Sequence, residues 1–233
     1  MVCIGAIAHP LILKLSLKQQ LKKYASCCKL IELQFLALMT IGVREKAMER
    51  QELLAATIDK IRQSIDIHEG LDSTLLILGH RLKNNNERPA IEIVKEYAAL
   101  RLLECYPAQL NQVFMNLLSN SIDALEEKFK IIQQRYLKLS QRCPKIPLTI
   151  WISTQAVNNK IVIRIADNGL GIPEEVRSHI FDPFFTTKVP GKGTGLGLSI
   201  SHQIIVEKHH GQIKCSSKPG EGTEFLIEIP SSS

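Results

Sequence analysis

The chain has 233 residues, 45% of them hydrophobic, and a formal net charge of +6. This length and composition suit one large domain with a helical attachment, and they exclude a disordered chain. The positive charge is spread thinly, with no arginine-rich stripe and no aromatic platform, which argues against nucleic acid as a partner. A small polyanionic ligand would suit the same charge balance.

Six cysteines occur without a C-x-x-C pair, which argues against a zinc site and indicates free thiols in a reducing compartment. The apolar stretches at 1–17 and 30–43 are interrupted by polar residues. Both fall short of the roughly 20 apolar residues that a membrane span needs. We therefore expect a cytoplasmic protein without membrane association.

Residues 44–66 have helical character, because Leu54, Ile58, Ile61 and Ile65 recur at helical spacing. This heptad-like seam predicts either a paired helix, which would make the chain a homodimer, or an ordinary amphipathic helix on its own domain. A second helical stretch follows at 68–85.

Short runs rich in Ile, Val, Thr and aromatic residues then predict strands at 90–97, 148–154, 160–167, 211–217 and 223–230. Helical segments at 107–127 and 199–210 separate them, and the first of these extends towards residue 141. Strands and helices in this irregular order predict an α+β fold with helices on one face of a sheet.

The sequence GTGLGL at 193–198 stands just ahead of a predicted helix start. Unpaired backbone N–H groups and the helix dipole favour an anion there, and glycine lets phosphate oxygens approach the main chain. No G-K-[ST] follows at the spacing of a P-loop. A purely structural glycine-rich turn is the alternative.

The sequence IADNGLGIP places Asp167 at the end of a predicted strand. A carboxylate there would accept a hydrogen bond from the amino group of adenine and would repel the carbonyl oxygen of guanine. The alternative is an ordinary D-N-G turn.

Asn116 and Asn120 are four residues apart and so share one face of the predicted helix. Helix interiors disfavour asparagine. An amide oxygen suits magnesium, which takes few protein ligands besides phosphate and water oxygens. Solvated asparagines are the alternative.

The segment FDPFFTTK at 181–188 brings three phenylalanines together before Lys188. The rings predict packing under the edge of a loop, and Lys188 would be within reach of a phosphate. Clustered phenylalanines are also typical of a core.

In chain order, the asparagine helix, D-N-G-L-G, F-D-P-F-F, G-T-G-L-G-L and G-E-G-T resemble the N, G1, F, G2 and G3 boxes of sensor histidine kinases. The resemblance covers 67–230. It implies the Bergerat ATP-binding fold of GHKL proteins, a two-layer α/β sandwich with a mobile lid. It divides the chain into a helical region at 1–66, a degenerate or truncated dimerisation part, and an ATP-binding catalytic domain at 67–231.

The resemblance implies ATP and Mg²⁺ as cofactors, with Asn120 as the magnesium ligand and Asn116 beside it at the phosphates. Asn116 and Lys188 are the implied catalytic residues, and Lys188 also contacts the nucleotide. Asp167 matches the adenine-binding aspartate, and Thr223 would lie near the adenine.

The glycine-rich boxes supply the remaining residues of the implied site. Gly169 and Gly171 match the flexible hinge after the aspartate. The lid would run over 186–194, and its phosphate-binding end would comprise Gly193, Thr194, Gly195, Leu196 and Gly197.

The implied function is transfer of the ATP γ-phosphate to a histidine for phosphorelay signalling, with a response regulator or a partner dimerisation hairpin as partner. A non-catalytic ATP-binding regulatory module and a GHKL-type ATPase are the alternatives. The ATPases normally carry a glutamate, as base for the attacking water, where Asn116 stands here.

A phosphoacceptor histidine is normally followed by an acid on a helical hairpin. His9 is followed directly by Pro10, which removes the acid and interrupts a helix. His68 has the acid, but Gly70 comes next and the segment matches the entry to the ATP-binding domain. We therefore expect weak or absent self-phosphorylation.

Overall fold

The computed structural model describes residues 62–85, 88–140, 144–188 and 193–231. Its helices are α1 (Ile67–Ile77), α2 (Gly79–Leu82), α3 (Pro107–Lys138), α4 (Glu174–Arg177) and α5 (Gly197–Gln203), which continues as a π-helical turn over Ile204–Lys208. Its strands are β1 (Gln63–Ile65), β2 (Ile91–Tyr97), β3 (Leu103–Cys105), β4 (Leu148–Val157), β5 (Lys160–Asp167), β6 (Gln212–Lys218) and β7 (Gly222–Pro230).

Within the described residues, five strands form a mixed sheet in the order β2-β4-β5-β7-β6. Strands β2 and β4 are parallel, and every other neighbouring pair is antiparallel. Alternation along β5 and β7 points one set of side chains inward, including Ile163, Ile165 and Ile227, all fully buried. The other face carries Trp151, which is 41% exposed, and Arg164, whose side chain is 41% exposed. The sheet is therefore covered by helices on one face.

The long helix α3 provides most of the second layer. Its N-terminus begins with Pro107, whose missing N–H costs nothing in the first turn. The residues of α3 that are buried recur every three to four positions and so form one apolar stripe: Leu110, Val113, Phe114, Leu117, Leu118, Ser121, Ile122 and Leu125. Helix α1 packs against α3 through Leu71 and Leu75. The helical layer thus positions one polar face of α3 beside the sheet edge where β5 ends.

The predicted α+β sandwich and all five predicted strands are confirmed. The predicted helices at 68–85, 107–127 and 199–210 are present, the first as α1 and α2 and the last as α5 with its π turn. Composition gave no signal for β1, β3 and α4, which are only three or four residues long. Among the residues described, no helix combines the length and apolarity needed to cross a membrane.

The helix predicted over 44–66 does not reach its expected end. Gln63–Ile65 form a strand that pairs antiparallel with Leu103–Cys105, because the apolar side chain of Ile65 packs on the core instead of continuing a helical seam. Asp66 then caps α1 by accepting a hydrogen bond from the His68 N–H at 2.9 Å. The rest of the predicted helix, with Leu54, Ile58 and Ile61, lies outside the described residues. The boundary between 1–66 and 67–231 stays a prediction.

Candidate functional site

Asp167 is the last residue of β5 and is buried, with 6% of its surface exposed. The alternation of the strand turns its carboxylate towards α3, where it accepts the Gly169 N–H at 2.8 Å. Burial raises the pKa of Asp167, while hydrogen bonds from the backbone of Gly169 and Thr223 oppose that rise. A buried carboxylate at a strand end is well suited to selecting one hydrogen-bond donor.

Three hydroxyls belong to this end of the site, one on α3 and two on the neighbouring strands β6 and β7. Thr223 lies directly opposite Asp167 in the β5–β7 register, and the hydroxyls of Thr223 and Ser217 are 2.9 Å apart. The Ser121 hydroxyl on α3 lies close enough to favour the ionised form of Asp167. The Ser121 side chain is itself buried, so this polar group lies inside the site beside the carboxylate.

The backbone around Asp167 is packed too closely for side chains. A Cβ on Gly169 would lie 2.6 Å from Asp167 Oδ1 and 2.8 Å from Cβ of Ala124. Gly171 has a φ of +71°, and a Cβ there would lie 2.0 Å from the carbonyl oxygen of Lys218. These two glycines are therefore required for close backbone approach, in addition to any hinge role.

The second end of the site lies along α3, on the face that carries Asn116, Asn120 and Asp123. Asn116 Nδ2 donates to Gly197 O at 2.9 Å and to Ser201 Oγ at 3.2 Å. Asn116 therefore attaches the start of α5 to α3. Lys188 Nζ donates to Asn120 Oδ1 at 3.3 Å and to the carboxylate of Asp123.

The described ends of the predicted lid pack against each other, while residues 189–192 lie outside the described ranges. A Cβ on Gly193 would lie 2.9 Å from Thr186 Oγ1. Gly195 has a φ of +68°, and a Cβ there would lie 2.4 Å from the carbonyl carbon of Phe184. Between them Thr194 Oγ1 accepts the N–H of Leu196 at 3.4 Å. Glycine is thus needed where the two ends meet.

A chain of charges runs from Lys188 along the polar face of α3. Arg81 Nη2 donates to Asp123 at 2.6 Å and to Glu126 at 2.9 Å. Burial alone would raise the pKa of Asp123, but the hydrogen bonds from Lys188 and Arg81 hold it below its usual value. Arg88, with 5% of its surface exposed, pairs with Glu126 at 3.1 Å. Asp123 is therefore ionised and shared by two cations.

Sequence reasoning missed Asp123, Arg81 and Ser121 as members of the site. A signal for Asp123 was available, because 116, 120 and 123 follow the i, i+4, i+7 spacing of one helix face. Nothing local marks Arg81, which is 42 positions from Asp123 in the sequence.

His68 is held at both ring nitrogens. Nε2 lies 2.8 Å from Thr154 Oγ1, and Nδ1 lies 3.1 Å from Asp66 Oδ1. The ring also stacks on Tyr97, with centroids 4.3 Å apart. A nucleophilic imidazole needs an exposed nitrogen, so these contacts argue against His68 as phosphoacceptor. His9 lies outside the described residues.

Oxygen ligands for a divalent cation are present, although the described residues contain no cluster of three or more His, Cys, Asp or Glu side chains that could hold a metal. Asn120 Oδ1 and the Asp123 carboxylate already share one cation, the ammonium of Lys188. This donor set fits magnesium, which keeps most of its phosphate and water oxygens. A cavity of about 450 Å³ lies elsewhere, beside Lys160, His202 and Glu228.

The sequence profile of a family described as histidine kinase-, DNA gyrase B- and HSP90-like ATPase matches residues 105–233, more than half of the chain. The chain belongs to this family. As a member of this family it contains, in its described domain, an ATP-binding catalytic region of the sensor histidine kinase type.

Curated relatives of this chain are two-component sensors and sensor kinases. The two-component sensor PprA of Pseudomonas aeruginosa is 34% identical over 71% of this chain, and the sensor kinase CckA of Brucella abortus is 39% identical over 52%. The chain spans 16% and 12% of the lengths of these relatives. Among solved structures, the catalytic domain of histidine kinase ThkA is 27% identical and matches with a TM-score of 0.57, covering 73% of this chain and 96% of that domain.

Proposed function

We propose that the chain presents the γ-phosphate of magnesium-bound ATP to a histidine on a helical hairpin, for onward transfer to a response regulator. The observation that carries the proposal is the arrangement along α3. Ser121 lies beside the buried carboxylate of Asp167, and the adjacent Asn120 contacts Lys188. A base-recognition end and a cationic end are thus joined by neighbouring residues of one helix.

At the adenine end, Asp167 would accept the exocyclic amino group, and Ser121 and Thr223 would complete the polar contacts. An amino group is a donor, which the buried carboxylate can pair, whereas a carbonyl oxygen at the same place would meet like charge. ATP is therefore the expected nucleotide, in preference to GTP.

At the phosphate end, Asn120 Oδ1 would serve the metal, and Lys188 and Gly193, Gly195 and Gly197 would contact phosphate oxygens. Bound magnesium would neutralise charge on the phosphates. Asn116 would keep α5 and the adjoining glycines at the correct distance, through its bond to Gly197 O. The protein contributes positioning and charge, which is what phosphoryl transfer requires.

Partners belong to the same proposal. ThkA, whose fold this chain shares, has been solved in complex with the response regulator protein TrrA. The contacts at both ring nitrogens of His68 support a phosphoacceptor supplied from outside the ATP-binding domain. The free thiols of Cys105 and Cys215 suit a reducing cytoplasm. We include a homodimer through the seam of Leu54, Ile58 and Ile61, which light scattering over a range of concentrations would test.

Hydrolysis in the manner of a GHKL ATPase is the second candidate, and the contacts of Asn116 oppose it. That activity needs a base to activate water, whereas Asn116 donates its amide hydrogens to Gly197 and Ser201. An amide has no proton-accepting role at neutral pH.

The decisive experiment is incubation with ATP labelled at the γ-phosphate, with and without an added dimerisation hairpin. Acid-labile label should appear on the hairpin and be scarce on the chain alone. Asn120→Ala should lose nucleotide affinity in magnesium but little in its absence, and His9→Gln should leave hairpin labelling unchanged. Bound ATP without label in either mixture would instead favour a non-catalytic regulatory module, and release of inorganic phosphate would favour an ATPase.

A further inference from the structure

Asp123 is the residue on which the charges of the phosphate end converge. Its carboxylate accepts a hydrogen bond from Lys188 on one side and from Arg81, at 2.6 Å, on the other. Arg81 lies on α2, Asp123 on α3, and Lys188 follows the phenylalanine-rich segment. Three separate parts of the chain therefore meet at one carboxylate, beside Asn120.

We propose that Asp123 is a positioning residue that holds Lys188 at the metal side of the site. Lys188 then leaves Asn120 and Asp123 for the phosphates when magnesium and ATP bind. This inference rests on the proposed function, because it concerns the same nucleotide and the same asparagine.

The exchange follows from charge at Asn120. Asn120 Oδ1 accepts a hydrogen bond from the ammonium of Lys188 at 3.3 Å, and the same oxygen is the proposed metal ligand. A divalent cation and an ammonium on one oxygen would be adjacent like charges, which repel each other strongly at a few ångströms. Polyphosphate oxygens offer Lys188 a strongly negative destination nearby.

Arg81 lowers the cost of that movement. When Lys188 leaves, Asp123 keeps its hydrogen bond to Arg81 and is not left unpaired. Arg81 is fixed, because it also contacts Glu126 at 2.9 Å and its carbonyl oxygen accepts a hydrogen bond from the buried Arg88. Lys188, in contrast, is 39% exposed and reaches Asp123 from a surface segment. Arg81 therefore stays bound to Asp123, whereas Lys188 can move to the phosphates.

The test is equilibrium binding of a fluorescent, non-hydrolysable ATP analogue to the full chain during a magnesium titration. Asp123→Asn keeps the shape of the side chain and removes its charge. Because a partly exposed ion pair is worth up to about 1 kcal/mol, the variant should bind the nucleotide about two- to fivefold more tightly without magnesium. The factor by which magnesium tightens binding should shrink correspondingly.

Lys188→Gln provides the second arm. It should weaken binding without magnesium and lower the magnesium concentration at half-effect, because Asn120 no longer has to release an ammonium. In the Lys188→Gln background, Asp123→Asn should no longer tighten magnesium-free binding. Asp123→Glu should keep the parent magnesium dependence.

Asp72→Asn is a matched control, because it removes an exposed ion pair with Lys95 outside the site. Asp72→Asn should change neither the nucleotide affinity without magnesium nor the factor by which magnesium tightens binding. If Asp123→Asn weakens binding equally with and without magnesium in both backgrounds, Asp123 does not act through Lys188 and the inference is wrong. If Asp123→Asn fails to fold, the test rests on the magnesium concentration at half-effect in Lys188→Gln. If that concentration equals the value for the parent chain, Lys188 does not leave Asn120 for the phosphates and the inference is wrong. A parent chain that binds no nucleotide would refute the proposed function itself.

Discussion

The two ends of the candidate site are built in opposite ways. At the Asp167 end, a buried carboxylate, three hydroxyls and closely packed backbone leave almost no room for movement. At the Lys188 end, charged side chains that are 35% to 39% exposed meet between surface segments. Recognition of a flat, neutral base benefits from a rigid, desolvated surface, whereas binding of a charged, metal-bearing group benefits from cations that can exchange partners.

Gly222 and Gly220 allow the rigidity of the first end to be tested directly. Both have positive φ, but a Cβ on Gly222 would lie 1.9 Å from the carbonyl oxygen of Asp167, whereas a Cβ on Gly220 would meet nothing within 4 Å. Gly222→Ala should therefore lower the free energy of unfolding by about 2–5 kcal/mol through strain and overlap. Gly220→Ala should cost only about 1 kcal/mol. Thermal and denaturant unfolding would measure the free energy of unfolding of both variants. Similar losses for the two variants would show that the backbone at the Asp167 end can shift to accommodate a Cβ.

Asp167→Asn should separate stability from recognition. Since burial raises the pKa of Asp167, its ionised form is destabilised in the fold, and stability from this group is greatest at low pH and is lost as pH rises through its raised pKa. The neutral amide should therefore unfold at an equal or higher temperature at pH 7. ATP binding should weaken by about 10- to 100-fold, because a hydrogen bond to a charged carboxylate is replaced by a weaker one to a neutral amide whose NH₂ group competes for the same place. Unchanged ATP affinity would remove Asp167 from the site.

Gly195→Ala brings a similar overlap to the second end. Its Cβ would lie 2.4 Å from the carbonyl carbon of Phe184, a residue that is 74% exposed and itself has a φ of +66°. Because an exposed segment can shift, the loss in unfolding free energy should be about 1–2 kcal/mol, mostly the strain of positive φ. A loss as large as that of Gly222→Ala would show that the two ends are equally rigid.

Much of the fold could be predicted from the sequence, because the strands and the apolar stripe of α3 have strong periodicity. The short strand Gln63–Ile65 could not, since its three residues are specified by pairing with Leu103–Cys105 rather than by any local pattern. Within the site, the motifs that carry Asp167 and Asn120 could be recognised directly in the amino-acid sequence. Arg81 was not, because its contact with Asp123 depends on how α2 is placed against α3.

The smallest predicted effect on stability concerns His209, which links the end of the helix that begins with α5 to the start of α3. Its Nδ1–H donates to Ile204 O at 2.8 Å, and its Nε2 accepts the Tyr106 N–H at 3.1 Å, so the ring is neutral. Burial lowers the pKa of His209. Its contribution to stability is therefore present above the unfolded pKa of about 6.5 and is lost as pH falls below that value. Unfolding at pH 7.5 and 5.5 should show a smaller acid-induced loss for His209→Gln than for the parent, and equal losses would exclude this role.

The π-helical turn over Ile204–Lys208 has a consequence for how this family member can change by insertion and deletion. The His209 N–H bonds to Ile204 O, five residues back, so the turn holds one residue more than an α-helical turn would. Removing one residue from within the turn would leave the same two groups four residues apart, which is the spacing of an ordinary α-helical bond. The residues that follow, including His209 with its hydrogen bond from the Tyr106 N–H, would then keep their direction. A single-codon deletion within this turn should therefore be tolerated, and it would leave every residue of the nucleotide motifs unchanged.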